Sequence, residues 1–162
     1  MTEPTAVAVG MFAITGVLCG WAAWVDAREH RLPNALVLSC YPVVLLGLAG
    51  SSWLGRPSWS AALIGILVMA GPIGLLWLVG GRLGMGPGDV KLAVPLGASL
   101  GSLSPRIAML GLVLAFVVGG LVALVQMVRR RASVRIAFGP YLVAGWMLAL
   151  LAFLMLGSAP GP

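Results

Sequence analysis

Two aspartates are the residues of this chain whose type and position best suit chemistry. The sequence holds four acidic residues among 162, and two of them, Asp26 and Asp89, lie where apolar runs meet short polar segments. A carboxylate costs ~2.5–3.5 kcal/mol at the centre of a membrane-spanning helix, so an acid kept near lipid is a functional candidate. Two carboxylates held close cannot both ionise easily and therefore share a proton. The ionised member can then activate a water while the protonated member polarises a peptide carbonyl.

Each aspartate also has a structural explanation that position alone leaves open. Asp26 could pair with Arg28 or Arg31 at the end of a helix. Asp89 could be a helix N-terminal residue that the macrodipole favours. The single histidine of the chain, His30, lies in a short charged segment and is interpreted as a solvated residue at the membrane surface.

The sequence contains no pattern that indicates another kind of catalytic or binding site. It has no cluster of zinc ligands and no serine–histidine constellation, and Cys19 and Cys40 fall inside apolar runs, where small buried residues are expected. The glycine-rich stretch is not a Walker motif, because Lys91 is followed by Leu92 and not by Ser or Thr. The net charge of +6 comes from bases that occur singly or in small groups, which argues against nucleic-acid binding. We expect no metal, no cofactor and no nucleic-acid partner.

The composition indicates that membrane-spanning helices position these residues. Hydrophobic residues make up 60% of the chain and charged residues only 9%, too few for the polar shell of a soluble domain but enough for the ends of spanning helices. The predicted fold is all-α: a polytopic membrane protein with six transmembrane helices in one domain over residues 1–162, with the lipid bilayer as a partner. The spans are predicted at about 5–25, 35–53, 59–80, 87–105, 107–128 and 139–157.

The fourth span depends on where its helix begins. Residues 92–104 are apolar but too few to cross a bilayer alone, at ~1.5 Å per residue. Pro87 suits the first position of a helix, and a helix from Pro87 to Pro105 would cross. This start puts Asp89 in the first turn of that helix.

The loop charges predict the orientation of the bundle. Cytoplasmic loops are rich in Lys and Arg, and here such residues are concentrated in loops one, three and five, so both termini are predicted to be extracytoplasmic. Asp26 ends the first span and Asp89 begins the fourth, which places both on the cytoplasmic side. The eight basic residues of these loops are Arg28, Arg31, Arg82, Lys91, Arg129, Arg130, Arg131 and Arg135, against Arg56 and Arg106 in loops two and four.

Glycines are grouped in two ways that bear on the site and on packing. Gly84, Gly86 and Gly88 surround Asp89 on its N-terminal side. Without side chains they would let the chain bend sharply and let another backbone, such as a scissile peptide, approach the carboxylate. Small residues four positions apart suit close helix contact in lipid, and the chain has two such pairs, Gly16/Gly20 and Gly97/Gly101.

Three stretches together resemble one protein family. Residues 84–92, GMGPGDVKL, resemble the glycine-x-glycine-aspartate motif, followed by x-Lys, of type IV prepilin peptidases and archaeal preflagellin peptidases. Residues 26–34, DAREHRLPN, are similar to the family's first motif, in which an aspartate precedes a basic residue and a Pro-Asn pair. Residues 136–146, IAFGPYLVAGW, are similar to the Phe-Gly-Pro opening of the family's last helix. The three motifs occur in the family's order.

The resemblance implies an intramembrane aspartic endopeptidase. Such an enzyme would remove the short basic leader of type IV prepilins or pilin-like proteins at the cytoplasmic face of the inner membrane. Asp26 and Asp89 would be the catalytic pair, Gly86 and Gly88 would shape the loop, and Lys91 would have a local electrostatic or interfacial role. The oligomeric state and the particular pilin are not predicted.

The sequence also departs from the larger members of the family. These carry a cytoplasmic domain with paired CxxC cysteines and methylate the new N-terminus, and nothing in this chain corresponds to that domain. The resemblance is therefore to the short, peptidase-only form of tight-adherence (Flp-type) pilus systems, and it does not support an N-methyltransferase activity. The alternative function is a small membrane transporter or pilus-assembly subunit whose aspartates carry protons or pair with arginines.

Overall fold

The computed structural model describes residues 3–29, 34–53, 59–80, 86–128 and 137–157. Within these residues the chain forms helices alone, which confirms the all-α prediction. Six helices occur there, and each overlaps a predicted span. They are α1 Glu3–Glu29, α2 Asn34–Trp53, α3 Trp59–Gly80, α4 Pro87–Leu103, α5 Pro105–Val128 and α6 Gly139–Gly157.

The boundary between α4 and α5 lies at a proline. Helix α4 begins at Pro87, as predicted, but ends at Leu103, and Pro105 is the first residue of α5. Ser104 between them is extended, with φ −170° and ψ 140°, because a residue before proline is disfavoured in the helical region. The Ser104 hydroxyl accepts a hydrogen bond from the Arg106 backbone N–H at 3.3 Å. Ser104 thus ends one helix and caps the next.

The helices pack as three antiparallel hairpins, α1/α2, α3/α4 and α5/α6. In each hairpin, residues early in one helix lie beside residues late in the other. Asp26 of α1 and Gly139 of α6 both interact with Asp89 of α4. The end of α1 and the starts of α4 and α6 therefore lie at the same end of the bundle, which we call the motif end because each of these residues belongs to one of the stretches 26–34, 84–92 and 136–146. The neighbouring pairs are Met11 with Gly47, Cys19 with Cys40, Gly65 with Gly101, Gly74 with Val90, Gly111 with Gly145 and Gly119 with Tyr141.

Helix α4 lies at the centre of the bundle and contacts each of the other five helices. Most of its residues from Asp89 to Gly101 are buried, and Leu92, Leu96 and Leu100 are inaccessible to solvent. Because protein and not lipid surrounds it, this helix can carry polar groups, provided that its neighbours satisfy them. Ser99 is an example, since its hydroxyl accepts a hydrogen bond from the Trp146 indole N–H of α6 at 2.9 Å.

The outer surface of the bundle suits a lipid environment. Among the described residues, α1 over Ala6–Glu29, α3 and α5 are long and apolar enough to cross a membrane, and Asn34–Gly50 and Gly139–Met155 are shorter apolar helices. Large apolar side chains face outward on these helices; Leu46 is 72% exposed and Val79 is 78% exposed. A surface of this kind is favourable in hydrocarbon and unfavourable in water.

The two glycine pairs behave differently. A Cβ atom added at Gly97 would lie 2.6 Å from the carbonyl oxygen of Gly65, and one at Gly101 would lie 2.7 Å from the carbonyl oxygen of Ala61. Helices α3 and α4 are therefore in close backbone contact, as predicted for this pair. A Cβ atom at Gly20 would meet nothing within 4 Å, so the expectation of close contact at Gly20 is wrong.

We expect Gly97→Ala to destabilise the protein by about 1–3 kcal/mol, because the new methyl group overlaps backbone that cannot turn aside. Thermal unfolding in detergent or nanodiscs measures the effect. Gly20→Ala is the control, since its methyl group enters open space and alanine favours the helix by ~1 kcal/mol. Equal stability of the two variants would contradict the close packing of α3 on α4.

Candidate active site

The structure brings Asp26 and Asp89 together at the motif end. Asp26 lies in the last turn of α1 and Asp89 is the third residue of α4. Both side chains are buried, with 5% and 6% of their surfaces exposed, and the two carboxylates are close enough to interact electrostatically. Residues far apart in sequence thus form a carboxylate pair that is largely shielded from the surroundings.

Backbone N–H groups from two helix starts hold the Asp89 carboxylate. The Gly86 N–H donates to Oδ2 of Asp89 at 3.1 Å, and the Gly139 N–H makes a further hydrogen-bonding interaction with the carboxylate. Asp89 in turn donates its own backbone N–H to the Gly86 carbonyl at 3.1 Å. The structural explanation of Asp89, that it stabilises the start of a helix, is therefore correct. The same contacts fix the orientation of the carboxylate beside Asp26.

Of the arginines proposed as partners of Asp26, the structure describes Arg28 alone. Its guanidinium carbon lies 4.0 Å from the centre of the Trp24 ring, a cation–π contact on the exposed side of α1. Arg31 and His30 lie outside the described residues, as does Gly84.

Gly86 does not make the sharp bend that the sequence suggested. Its backbone is extended, with φ −78° and ψ 156°, a conformation that any residue adopts. The absent side chain matters for space, because a Cβ atom there would lie 3.7 Å from Oδ2 of Asp89. The glycine thus leaves one side of the carboxylate open. Gly88 is the second residue of α4, between Pro87 and Asp89.

Lys91 lies on the exposed side of α4 and contacts α2. Its ammonium group donates to Oδ1 of Asn34 at 3.3 Å, and its backbone carbonyl accepts a hydrogen bond from the Tyr41 hydroxyl at 3.0 Å. The first contact joins the lysine of the second motif to the asparagine of the first. Sequence reasoning left the role of Lys91 unspecified and overlooked Tyr41.

The third motif reaches the site through Gly139. Phe138 precedes α6, its carbonyl accepts the N–H groups of Tyr141 and Leu142, and its ring packs against Phe116 of α5 with 5.3 Å between ring centres. This packing places Gly139, the first residue of α6, with its N–H towards Asp89. The Phe-Gly-Pro pattern signalled the helix start, but the contact with Asp89 arises only from the fold.

Within the parts of the chain that the structure describes, no three His, Cys, Asp or Glu side chains are grouped so that they could hold a metal ion. The described polar groups of the site are the two carboxylates, the backbone N–H groups beside Asp89, and the side chains that surround Lys91. Such an arrangement suits proton transfer and the activation of a water.

We expect Gly86→Ser to be the most stable of three proteins, the wild type to be intermediate and Gly86→Ala to be the least stable. Glycine offers no side-chain acceptor at this N-cap position, whereas a serine hydroxyl would accept the backbone N–H of Gly88 in an unchanged backbone. Serine should therefore exceed alanine by about 1 kcal/mol in free energy of unfolding. Thermal unfolding of the three proteins measures this difference, and an alanine variant as stable as the serine variant would contradict the capping geometry.

Known proteins match this chain over most of its length. The model of the type IV leader peptidase family matches residues 13–124, which include the first two motifs. A prepilin leader peptidase/N-methyltransferase of Stutzerimonas stutzeri is 36% identical over 134 residues, 78% of this chain and 44% of the relative. Proteins of the same name from Aeromonas hydrophila and Escherichia coli are 36% and 32% identical, over 88% and 78% of this chain and 51% and 56% of the relatives.

The chain spans about half the length of these relatives. No solved structure matches the chain at a significant level. The family match covers more than half of the chain, and its first two motifs contribute the two aspartates that the fold brings together. The chain therefore belongs to the type IV leader peptidase family.

Proposed function

We propose that this protein is an intramembrane aspartic endopeptidase that cleaves the leader peptide of type IV prepilins or pilin-like proteins. The observation that carries the proposal is the buried Asp26/Asp89 pair at the motif end. The relatives named above are prepilin leader peptidases, and the matched region includes both aspartates. The substrate bond would be the peptide bond that joins the leader peptide to the pilin.

The pair would act by sharing one proton. The ionised carboxylate accepts a proton from a water, whose oxygen attacks the scissile carbonyl carbon, while the protonated carboxyl donates its proton to the carbonyl oxygen. The tetrahedral intermediate then collapses, the C–N bond breaks, and a proton passes to the leaving amine. Burial strengthens the electrostatic interactions of the pair, since little water screens them. Gly86 leaves space beside Asp89 for the peptide backbone.

We propose further that all six helices span the inner membrane, with the motif end at the cytoplasmic face and both termini outside. The contacts of Asp89 with Asp26 and Gly139 support this arrangement, because they bring together the helix ends that adjoin loops one, three and five. These loops, together with the helix turns beside them, carry eight of the ten basic residues of the chain, which is the bias expected of the cytoplasmic side. Residues 1–162 would then form a single transmembrane peptidase domain.

The position of the aspartates argues against the alternative of a transporter. A transporter needs ionisable groups near the middle of the membrane, with access from both faces. Here the pair lies at one end of the bundle, in the last turn of α1 and the first turn of α4. The proposal does not include N-methyltransferase activity.

Asp26→Asn and Asp89→Asn, made separately, should each lower prepilin cleavage at least about 100-fold, because each removes an acid or base of the reaction. The assay follows the loss of the leader from a co-expressed prepilin by gel shift, with insertion of the enzyme checked in membrane fractions. Glu29→Gln is the matched control, since Glu29 is an exposed carboxylate one turn beyond Asp26. Full processing by either aspartate variant would disprove the assignment of the pair.

The orientation can be tested with a cysteine at position 131 in a chain that carries Ala at positions 19 and 40. In whole cells, a membrane-impermeant maleimide should fail to label this cysteine until the inner membrane is opened, because loop five is proposed to be cytoplasmic. A cysteine at position 106, the second residue of α5, is the control and should be labelled from outside. Labelling of position 131 in intact cells would overturn the orientation.

A further inference from the structure

A proline within α4 leaves the carbonyl of Lys91 without its helical partner. In an α-helix this carbonyl would accept the N–H of the residue four positions later, which is Pro95. Proline has no N–H group. A free carbonyl is costly in an apolar bundle, and the hydroxyl of Tyr41 on α2 donates to it at 3.0 Å. The backbone of α4 is thus bonded to a neighbouring helix two residues after Asp89.

The side chain of Lys91 makes a second connection to the same helix. Its ammonium group donates to Oδ1 of Asn34, the first residue of α2, at 3.3 Å. Asn34 and Tyr41 are seven residues apart, about two helical turns, and therefore lie on one face of α2. Lys91 is held between them, by its side chain at one point and by its carbonyl at the other. These two hydrogen bonds connect α2 to α4.

Helix α2 is also the neighbour of the helix that carries Asp26. Helices α1 and α2 form one hairpin, in which the thiol sulfurs of Cys19 and Cys40 are 3.4 Å apart. By contrast, the direct contact between α1 and α4 is limited. Because the two aspartates sit on helices with little direct contact, their separation depends on the elements that pack on both helices, which are α2 and α6.

From these contacts we infer that Tyr41 and Asn34 are positioning residues, which hold Lys91 so that α2 fixes the first turn of α4, and with it Asp89, relative to Asp26. This inference rests on the proposed peptidase function. It also gives Lys91 a specific role: its ammonium group and its carbonyl are the points at which α2 holds α4. Neither Tyr41 nor Asn34 needs to touch the substrate.

The first test is Tyr41→Phe, which removes the donor and keeps the ring. We expect kcat for cleavage of a synthetic prepilin peptide to fall about 10- to 100-fold, because small displacements of reacting groups have effects of that size. KM should stay within about twofold, since the substrate-binding surface is unchanged. Ser39→Ala is the matched control on α2, because the Ser39 hydroxyl donates to the carbonyl of Ala35 in its own helix, and it should keep the wild-type kcat.

A second variant distinguishes a positioning role of Tyr41 from a role limited to giving the Lys91 carbonyl a hydrogen-bond donor. Pro95→Ala restores an N–H group that can bond the Lys91 carbonyl within α4. In Tyr41→Phe/Pro95→Ala, thermal stability should return to that of Pro95→Ala alone, while kcat stays as low as in Tyr41→Phe, because α2 and α4 are still not joined at this point. Recovery of kcat together with stability would overturn the inference and leave Tyr41 a structural role alone.

Asn34 provides an independent comparison. Asn34→Ala should lower kcat in the same direction as Tyr41→Phe, and Asn34→Asp, which keeps an oxygen acceptor for the lysine, should restore it. The wild-type protein is assayed alongside. If the wild type does not cleave the peptide, the proposed function fails and the inference fails with it. If the wild type cleaves and both Tyr41→Phe and Asn34→Ala keep the wild-type kcat, the inference alone is wrong.

Discussion

The polar groups of α4 impose the constraint on which the rest of the bundle depends. This helix carries a carboxylate, a backbone carbonyl freed by proline and a buried hydroxyl, yet it lies at the centre of a bundle whose surface is apolar. Each of these groups is costly unless it is bonded. Each finds its partner on another element: Gly139 for Asp89, Tyr41 for Lys91 and Trp146 for Ser99. Satisfying these groups therefore also decides where α2 and α6 lie.

The structural role of Asp89 and its proposed catalytic role depend on the same contacts. A carboxylate at the third position of a helix accepts backbone N–H groups and is favoured by the helix dipole. Those N–H groups also set the direction in which the carboxylate points, towards the partner on α1. The hydrogen bonds that cap the helix thus also hold the carboxylate in a fixed orientation. Asp26 gains its position differently, from the packing of α1 within the bundle.

The three hairpins explain how motifs scattered along the chain meet. Asp26, Asp89 and Gly139 each belong to a different motif, and they lie together at the motif end of the bundle. Close contact within the hairpins fixes this arrangement, for example where Gly97 and Gly101 of α4 lie against backbone of α3. A change in the register of α3 on α4 would move Asp89 along the bundle axis by ~1.5 Å for each residue. Packing far from the carboxylates therefore contributes to their alignment.

The apolar runs and the isolated acids of the sequence were enough to predict the helices and the candidate pair. Long apolar runs specify helices in lipid, because every backbone polar group must be bonded within the segment, and Pro87 marks the start of α4. An acid at the border of such a run is conspicuous for its cost, so Asp26 and Asp89 could be singled out without a fold.

The contacts between the helices could be known only from the tertiary structure. Gly16/Gly20 and Gly97/Gly101 have the same spacing, but only the second pair lies fully against a neighbouring backbone, because spacing cannot say which face of a helix meets another. The roles of Tyr41, Asn34 and Gly139 were hidden for the same reason. Each depends on a hydrogen bond between helices distant in sequence, and the partner of a polar group in a bundle is set by how the helices pack.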